Sequence, residues 1–156
     1  MANDKSCPCG SDNAYKQCCH MIHVDHSVAR TPEQLMRARY SAYVFNHLQF
    51  IRASWDSSTL PLAIESDHKP RWLFLEVLNA GTAVNTVDPS GFVHYRAHYV
   101  ENNQLCALTE MAHFILKQGL WYYLSGEVHH SRIPISGKTK CPCGSGKKFK
   151  RCCATR

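Results

Sequence analysis

Apolar residues in the first third of the chain recur with the period of an α-helix. The helix start is marked by Thr31 as a cap, by Pro32 at the first helical position and by Gln34, which completes a capping box. The apolar positions that follow are Leu35, Met36, Tyr40, Tyr43, Val44, Leu48 and Ile51. Their spacing predicts one long helix that runs to about Ser54, with a shorter helical piece around Leu60–Ser66.

After Lys69-Pro70 the pattern changes to short runs in which apolar and polar residues alternate, as in half-buried β-strands. Strands are predicted at Arg71–Leu78, Ala83–Val87, Phe92–Glu101, Leu105–Lys117 and Leu120–Val128. The predicted turns lie near Gly81, at Asp88–Gly91, at Asn102-Asn103 and at Gln118-Gly119. Helices first and an antiparallel sheet afterwards predict an α+β fold, with the helices packed on one face of the sheet.

The composition is that of a globular protein. The 156 residues include 44% hydrophobic and 19% charged side chains, which fits one ordinary domain with small appendages and excludes wholesale disorder. The opening residues lack the apolar segment of a secretion signal, and no run of about 18 apolar residues occurs. We therefore expect a cytoplasmic protein without a transmembrane segment.

Cysteine is the unusual residue, because eight of the nine cysteines lie in two copies of one short segment. Residues 7–19 (CPCGSDNAYKQCC) align without a gap with residues 141–153 (CPCGSGKKFKRCC), and eight of the thirteen positions are identical. Ordering thirteen residues costs roughly 13–26 kcal/mol, and one buried aromatic side chain returns only about 1.5–3 kcal/mol. A structural zinc site offers about 10–16 kcal/mol, so we expect a metal ion to form the core of each copy.

The shared spacing, C-x-C-x8-C-C, favours one zinc ion per copy, two in total, each held by four thiolates. The predicted ligands are Cys7, Cys9, Cys18 and Cys19 near one end and Cys141, Cys143, Cys152 and Cys153 near the other. His20 is an alternative to Cys19, but the second copy has Ala154 at that position. Disulfide or redox roles and iron–sulfur ligation are less favoured alternatives. The ninth cysteine, Cys106, is predicted to be a buried free thiol in a strand.

The net charge of +6 comes from residues 137–156, which carry seven basic side chains and no acidic one. A divalent ion with four thiolates has a charge of about −2, so these bases offset their own cluster, serve a partner, or do both. The basic surface is predicted at Lys147, Lys148, Lys150 and Arg151, where Phe149 offers a stacking surface for a nucleic acid.

The C-terminal CPCGSGKKFKRCC resembles the SEC-C motif, the zinc-binding tail known from the SecA preprotein translocase. The N-terminal copy departs from that motif at Asp12-Asn13-Ala14, where basic or glycine residues are typical. Together with residues 35–43 (LMRARYSAY), 71–73 (RWL) and 119–123 (GLWYY), the two copies resemble the bacterial YchJ family over nearly the whole chain.

That resemblance implies a nuclear transport factor 2-like (cystatin-like) cone, in which a curved antiparallel sheet wraps a long helix. It divides the chain into an N-terminal SEC-C-type zinc knuckle (1–20), the cone domain (21–136) and a C-terminal SEC-C zinc knuckle (137–156). The resemblance implies architecture more than activity.

Cones of this kind often hold a pocket between sheet and helix. Arg37 and Arg39 on the helix are expected to be structural or solvated. The polar candidates for the pocket are His94, Arg96, His98, Glu110 and His113. Ordinary cross-strand pairing explains these residues better than catalysis does, and the chain contains no nucleophile elbow, phosphate loop or HExxH pattern. The sequence therefore favours a role that is not enzymatic.

Three functions follow from these features. The leading hypothesis is a zinc-binding adaptor whose knuckles present charged surfaces to a protein partner, with secretion chaperones, translocation machinery or ribosomes as partners by analogy. The second is a small-molecule binder or enzyme that uses the cone, which predicts an enclosed cavity of about 300 Å³ or more near Glu110. The third is nucleic-acid binding by the basic C-terminal knuckle, with an affinity that falls steeply with salt.

Overall fold

A computed structural model describes residues 5–64 and 70–155 of the chain. Three helices come first: α1 (Cys19–Val24), α2 (Pro32–Val44) and α3 (Leu48–Ala53). Four strands follow: β1 (Arg71–Ala83), β2 (Ser90–Glu101), β3 (Gln104–Lys117) and β4 (Leu120–Arg132). Single 3-10 turns lie at Tyr15–Gln17, His26–Val28, Phe149–Arg151 and Cys153–Thr155. The strands form one antiparallel sheet in the order β1-β2-β3-β4, so the predicted α+β class is confirmed.

The predicted long helix is two helices in the structure. Helix α2 begins as expected, because the Thr31 hydroxyl accepts a hydrogen bond from the Gln34 amide at 3.1 Å. The helix ends at Val44, and Asn46 adopts a positive φ of 58°, a conformation that asparagine tolerates better than most residues. The chain then restarts as α3, whose apolar residues continue the same period. Periodicity alone therefore does not reveal the break.

The second helical piece, predicted at Leu60–Ser66, is absent from the described part of that range. Residues 60–64 are not helical, and residues 65 and 66 lie outside the described part of the chain.

The first two predicted strands are one continuous strand. The expected turn near Gly81 is wrong, because Gly81 pairs with Phe92 inside the sheet. A Cβ atom at Gly81 would lie 2.7 Å from the Phe92 ring, so the glycine makes room for an aromatic side chain. The actual turn spans residues 84–89, which removes most of the predicted strand Ala83–Val87.

The other hairpin turns agree with prediction. Asn102 and Asn103 both have positive φ, as in the tight turns that join neighbouring strands. Gln118 and Gly119 adopt the same left-handed conformation between β3 and β4. The local turn chemistry therefore fixes the β2-β3 and β3-β4 hairpins.

The main core lies between α2 and one face of the sheet, called here the inner face. Leu35, Ala38 and Ala42 from the helix and Val93 and Phe114 from the strands are fully or almost fully buried there. The N-terminal cysteines belong to the same core cluster. A second cluster forms around the C-terminal cysteines. No helix in the described residues is long and apolar enough to cross a bilayer.

The start of α2 is held against the sheet by a close approach that requires glycine. A Cβ atom at Gly91 would lie 2.4 Å from Pro32 Cγ and 3.0 Å from the Gly81 carbonyl oxygen. We expect Gly91→Ala to lower the free energy of unfolding by about 1–3 kcal/mol through overpacking, measured by urea denaturation. Pro32→Ala in the same chain should restore part of the loss, because it removes the clashing Cγ.

Ser90→Ala is the matched control for Gly91→Ala, since Ser90 is the neighbouring exposed residue of β2. Its unfolding free energy should stay within about 0.5 kcal/mol of wild type. A Gly91→Ala variant as stable as Ser90→Ala would contradict the close approach.

Candidate metal centres and aromatic pocket

The eight repeated cysteines form two separate tetrads. In each tetrad the four Sγ atoms lie within 4.8 Å of one another. The Cys9–Cys18 and Cys18–Cys19 sulfur distances are 3.6 and 3.9 Å, and the equivalent distances in the second tetrad are 3.5 and 4.0 Å. A tetrahedron with metal–sulfur bonds of about 2.3 Å has edges of about 3.8 Å. Each tetrad therefore has the size of a four-coordinate thiolate site.

The two tetrads are built on the same backbone, offset by a constant 134 positions. In both, the amide of the first cysteine donates to the carbonyl six residues later, at 2.7 and 2.8 Å. In both, the glycine after the second cysteine has a φ near 80° and donates to the carbonyl of the first cysteine at 3.3 Å. These bonds close the first turn and bring its two sulfurs next to the cysteine pair that follows the 3-10 turn.

Asp12 and Gly146 occupy the same left-handed position of the repeat. Their φ angles are 61° and 75°, so the N-terminal copy keeps the conformation without glycine. Aspartate is one of the few side chains that tolerate it. The departure of the N-terminal copy from the SEC-C pattern therefore leaves its backbone unchanged.

Hydrogen bonds to sulfur also repeat between the copies. The hydroxyl oxygens of Ser11 and Ser145 lie 3.1 and 3.2 Å from the sulfurs of Cys18 and Cys152. Arg71 Nη2 donates to Cys153 Sγ at 2.7 Å, which adds a positive charge beside the second tetrad. Polar groups around each tetrad are thus placed to stabilise ionised sulfur.

The sulfurs of the first tetrad lie close enough together to influence one another's ionisation. Hydrogen bonds from Cys19 and Cys9 lower the pKa of the Cys7 thiol. Hydrogen bonds with Cys7 and Cys9, together with burial, raise the pKa of the Cys19 thiol. Four buried thiols at this separation cannot all ionise unaided, whereas a divalent cation removes that restriction. The donor set therefore fits a soft divalent ion.

His20, the alternative to Cys19 as a ligand, lies outside the tetrads, and so does the ninth cysteine, Cys106. His20 is in α1 with its ring against Tyr15, at 5.3 Å between ring centroids, and Cys19 is the residue that joins the sulfur group. Cys106 is a buried free thiol in β3, as predicted, and its sulfur lies 3.8 Å from the Gln104 carbonyl oxygen.

The two tetrads are anchored to opposite sides of the sheet. The first lies with the helices, where Arg37 Nη1 donates to the Cys9 carbonyl at 2.6 Å and Cys7 Sγ lies 3.6 Å from Ser41 Oγ. The second packs against Val100 and Leu105, which pair with each other on the outer face of the sheet. One tetrad is therefore part of the main core, and the other covers a satellite core.

The predicted basic surface is exposed, but its aromatic residue is not. Lys147, Lys148, Lys150 and Arg151 are exposed, and none of them makes an ion pair with the described residues. Phe149 is only 4% exposed, because its ring packs into the satellite core. The predicted stacking surface for a nucleic acid is therefore not available at Phe149.

The five residues predicted to share one pocket lie on both faces of the sheet. Glu110 points to the inner face, where its carboxylate lines a cavity. His94, Arg96 and His98 lie on the outer face, since they alternate with Tyr95 and Ala97 of the core. His98 Nε2 donates to Glu76 Oε2 at 2.6 Å, and the imidazole ring stacks on Phe74. His113 is exposed. Of the five predicted residues, Glu110 is the one that lines this cavity.

Arg39 is the cavity residue that the sequence analysis missed. It is 3% exposed, and its Nη1 donates to the Ile51 carbonyl at 3.0 Å and to Ser54 Oγ at 2.7 Å. The guanidinium carbon lies 5.0 and 4.5 Å from the ring centroids of Trp55 and Tyr123. The sequence does indicate that Arg39 is buried, because it lies four residues after Leu35 and therefore on the apolar face of α2.

Glu110 is held by two tyrosines inside the same cavity. Tyr123 donates its hydroxyl to Glu110 Oε1 at 2.5 Å, and Tyr95 donates to Glu110 Oε2. Burial, reinforced by the Glu110 carboxylate, raises the pKa of both tyrosine hydroxyls. The hydroxyls therefore stay protonated and act as permanent donors to the carboxylate.

Comparison with known proteins agrees with this architecture. The family model described as "YchJ, middle NTF2-like domain" matches residues 31–126, and the SEC-C motif model matches residues 139–155. A UPF0225 protein of Shewanella sp. (strain MR-4) is 39% identical over 98% of both chains. A UPF0225 protein of Vibrio parahaemolyticus is 35% identical over 95% of this chain and 98% of its own.

Two solved structures are similar to the chain as well. A SEC-C motif-containing protein from Psychrobacter arcticus superposes with a TM-score of 0.66 at 26% identity, covering 99% of this chain and 98% of the other. One from Rhodopseudomonas palustris gives a TM-score of 0.67 at 27% identity, covering 79% of this chain and 98% of its own.

The buried Glu110 makes the Tyr123 hydroxyl important for stability. Tyr123→Phe keeps the ring beside Arg39 but leaves Glu110 Oε1 without its donor. We expect the free energy of unfolding to fall by about 1–3 kcal/mol, the cost of an unsatisfied buried acceptor. Tyr122→Phe is the matched control, because the Tyr122 hydroxyl has no hydrogen-bond partner within the described residues. Equal denaturation curves for the two variants would refute this role of Tyr123.

Proposed function

Because the chain belongs to the YchJ (UPF0225) family, we propose that it is a zinc-dependent adaptor, in which two metal–thiolate sites shape the ends of the protein and the C-terminal one presents a basic surface to a protein partner. The observation that carries this proposal is the pair of cysteine tetrads, each with four sulfurs within 4.8 Å. The SEC-C motif match at residues 139–155 supports the same assignment for the C-terminal tetrad.

Zinc is the metal that fits the donor set best. Four cysteine ligands in a compact tetrahedron are typical of structural zinc sites, whereas catalytic zinc sites keep a position for water. When bound, the ion would supply the positive charge that lets all four sulfurs ionise. Cys7, Cys9, Cys18 and Cys19 would hold one ion, and Cys141, Cys143, Cys152 and Cys153 the other. With all four positions taken by cysteine, neither site supports metal catalysis.

The three proposed units have different tasks. The N-terminal knuckle (1–20) would stiffen the cone domain (21–136), because its sulfurs pack into the main core beside α2. The C-terminal knuckle (137–156) would face the partner, because its basic side chains are exposed on a small satellite core. We propose a cytoplasmic location, because a reducing compartment keeps cysteine sulfurs available as metal ligands.

The partner best suited to this surface is an acidic protein face. Exposed lysines and arginines without ion pairs of their own favour association with negative charge. The burial of Phe149 argues against single-stranded nucleic acid, because base stacking on an aromatic side chain would need that ring. Secretion chaperones, translocation machinery and ribosomes remain the partner classes suggested by the SEC-C resemblance.

We expect purified, reduced protein to contain two zinc ions per chain, measured by elemental analysis. Cys152→Ser and Cys18→Ser should each remove about one ion, since each breaks one tetrad. Cys106→Ser is the matched control and should retain both, because Cys106 lies outside the tetrads. Full chelation should unfold the ends, because about 10–16 kcal/mol of binding free energy is lost at each site. Protein without metal but with ordered ends, observed by NMR, would overturn the proposal.

The repeat itself provides a charge variant that keeps the metal site. Lys147→Asn, Lys148→Ala and Arg151→Gln install the residues that the N-terminal copy carries at equivalent positions. Ala14 and Lys148 have nearly the same backbone angles, so the turn should be unaffected. We expect full metal content and at least about tenfold weaker partner capture at low salt.

The control for this variant is the reciprocal exchange in the N-terminal copy, Asn13→Lys, Ala14→Lys and Gln17→Arg, which should not change capture. Captured proteins are quantified from nuclease-treated lysate, so that binding through nucleic acid disappears. Unchanged capture by both the charge variant and Cys152→Ser would contradict an adaptor role for the C-terminal knuckle. The proposed metal binding would not be affected by that result, because it is measured separately by elemental analysis.

A further inference from the structure

The inner face of the sheet encloses a cavity that neither metal site uses. Its volume is about 250 Å³, slightly below the size that the sequence analysis required. Aromatic side chains form most of its wall: Tyr40, Tyr43, Trp55, Trp72, Tyr95 and Tyr123. Tyr43 in this wall is 38% exposed, so the lining of the cavity contacts solvent at that side chain. The cavity is therefore suited to a flat, mainly apolar ligand.

Arg39 brings a buried positive charge to this cavity without a carboxylate at ion-pair distance in the described residues. Its Nη1 is satisfied by Ile51 and Ser54. The Nε and Nη2 groups have no hydrogen-bond partner within the described residues and are not sealed from solvent, so three of the five guanidinium N–H donors are free to meet a ligand in the cavity. A buried charge in this state is costly unless an anion or a hydrogen-bond acceptor joins it.

The electrostatics of Arg39 point the same way. Burial lowers the pKa of its guanidinium, and the neighbouring tyrosines and Glu110 oppose that shift only in part. The two aromatic rings beside the guanidinium stabilise its charge but cannot accept its N–H donors in the plane of the group.

Glu110 does not offer the matching site for a cationic ligand. Each of its carboxylate oxygens already accepts a tyrosine hydroxyl. Arg39 itself already occupies the space against Trp55 and Tyr123, where a ligand cation would stack. Of the two charged side chains of the cavity, Arg39 is thus the one with free N–H donors, whereas Glu110 is engaged by tyrosine hydroxyls.

We propose that the cavity binds a single-ring aromatic carboxylic acid, with its ring between the aromatic walls and its carboxylate on the free N–H donors of Arg39. The planar guanidinium matches a carboxylate with two parallel hydrogen bonds. This ligand site is independent of the adaptor role, because it involves none of the cysteines or the basic residues of the C-terminal knuckle.

The test uses three probes that share one ring and differ in charge: benzoate, benzamide and benzylammonium. The full-length, metal-loaded protein is titrated at millimolar probe concentrations and followed through its indole N–H signals in two-dimensional NMR. Trp55 and Trp72 line the cavity and should shift on binding. Trp121 is an internal control, because it does not line the cavity and its indole N–H donates a hydrogen bond to the Arg30 carbonyl. Its signal should not shift.

We expect benzoate to saturate the Trp55 and Trp72 shifts and to bind at least about tenfold more tightly than benzamide, because a charged hydrogen-bonded pair is lost with the neutral probe. Benzylammonium should not bind. Equal or tighter binding of benzamide or benzylammonium would overturn the proposal. It would also be overturned if neither benzoate nor the longer acid phenylacetate gave a saturable shift.

Variants identify the residue that holds the acid. Arg39→Met should abolish benzoate binding, whereas Arg52→Met, an exposed arginine on α3, should leave it unchanged. If Arg39→Met does not fold, Ala97→Leu decides the question, because it adds volume to the cavity wall at a residue that makes no hydrogen bond to the guanidinium. Benzoate binding that survives in a folded Arg39→Met or Ala97→Leu protein would place the site elsewhere and refute the assignment.

Discussion

The structure depends first on the meeting of four sulfurs at each end of the chain. Neither end has enough apolar surface to hold thirteen residues in a defined turn, so something other than a hydrophobic core must stabilise it. The first tetrad is also inside the main core, where Cys9 and Cys19 are almost completely buried. Four ionised sulfurs in such a place repel one another without a cation. The proposed metal would therefore complete the core, as well as the turn.

The two copies of the repeat share a backbone conformation but differ in the side chains that they expose. The same hydrogen bonds and left-handed positions occur in both, which means that the fold of the turn depends on the shared cysteines and the backbone. The positions between them are free to differ. Where the copies differ, the first carries neutral or acidic residues and is built into the helical side of the protein, whereas the second carries the exposed bases Lys147, Lys148 and Arg151. The same structural element is thus built into the main core in one copy and set on a satellite core with exposed bases in the other.

The sequence was informative where the physical cause is local. The helix cap at Thr31, the asparagine turn at residues 102–103 and the cysteine repeat all have their cause within a few neighbouring positions. The break at Asn46 escaped prediction because the apolar period of α2 continues in phase through α3. Gly81 was misread as a turn because the ring that covers it comes from another strand. The cavity was misassigned because an alternating strand reveals two faces but not which of them meets the helix.

Helix α2 connects these features. Through Arg37 and Ser41 it contacts the N-terminal tetrad, and through Arg39, Tyr40 and Tyr43 it forms one wall of the cavity. A helix of thirteen residues has little stability of its own, so its position must come from what packs on each side. The break at Asn46 belongs to the same arrangement, because it turns α3 back so that Ile51 and Ser54 reach the guanidinium of Arg39. The buried arginine is thereby fixed by a second helix rather than by a carboxylate, which is why part of its hydrogen-bonding capacity is left for the cavity.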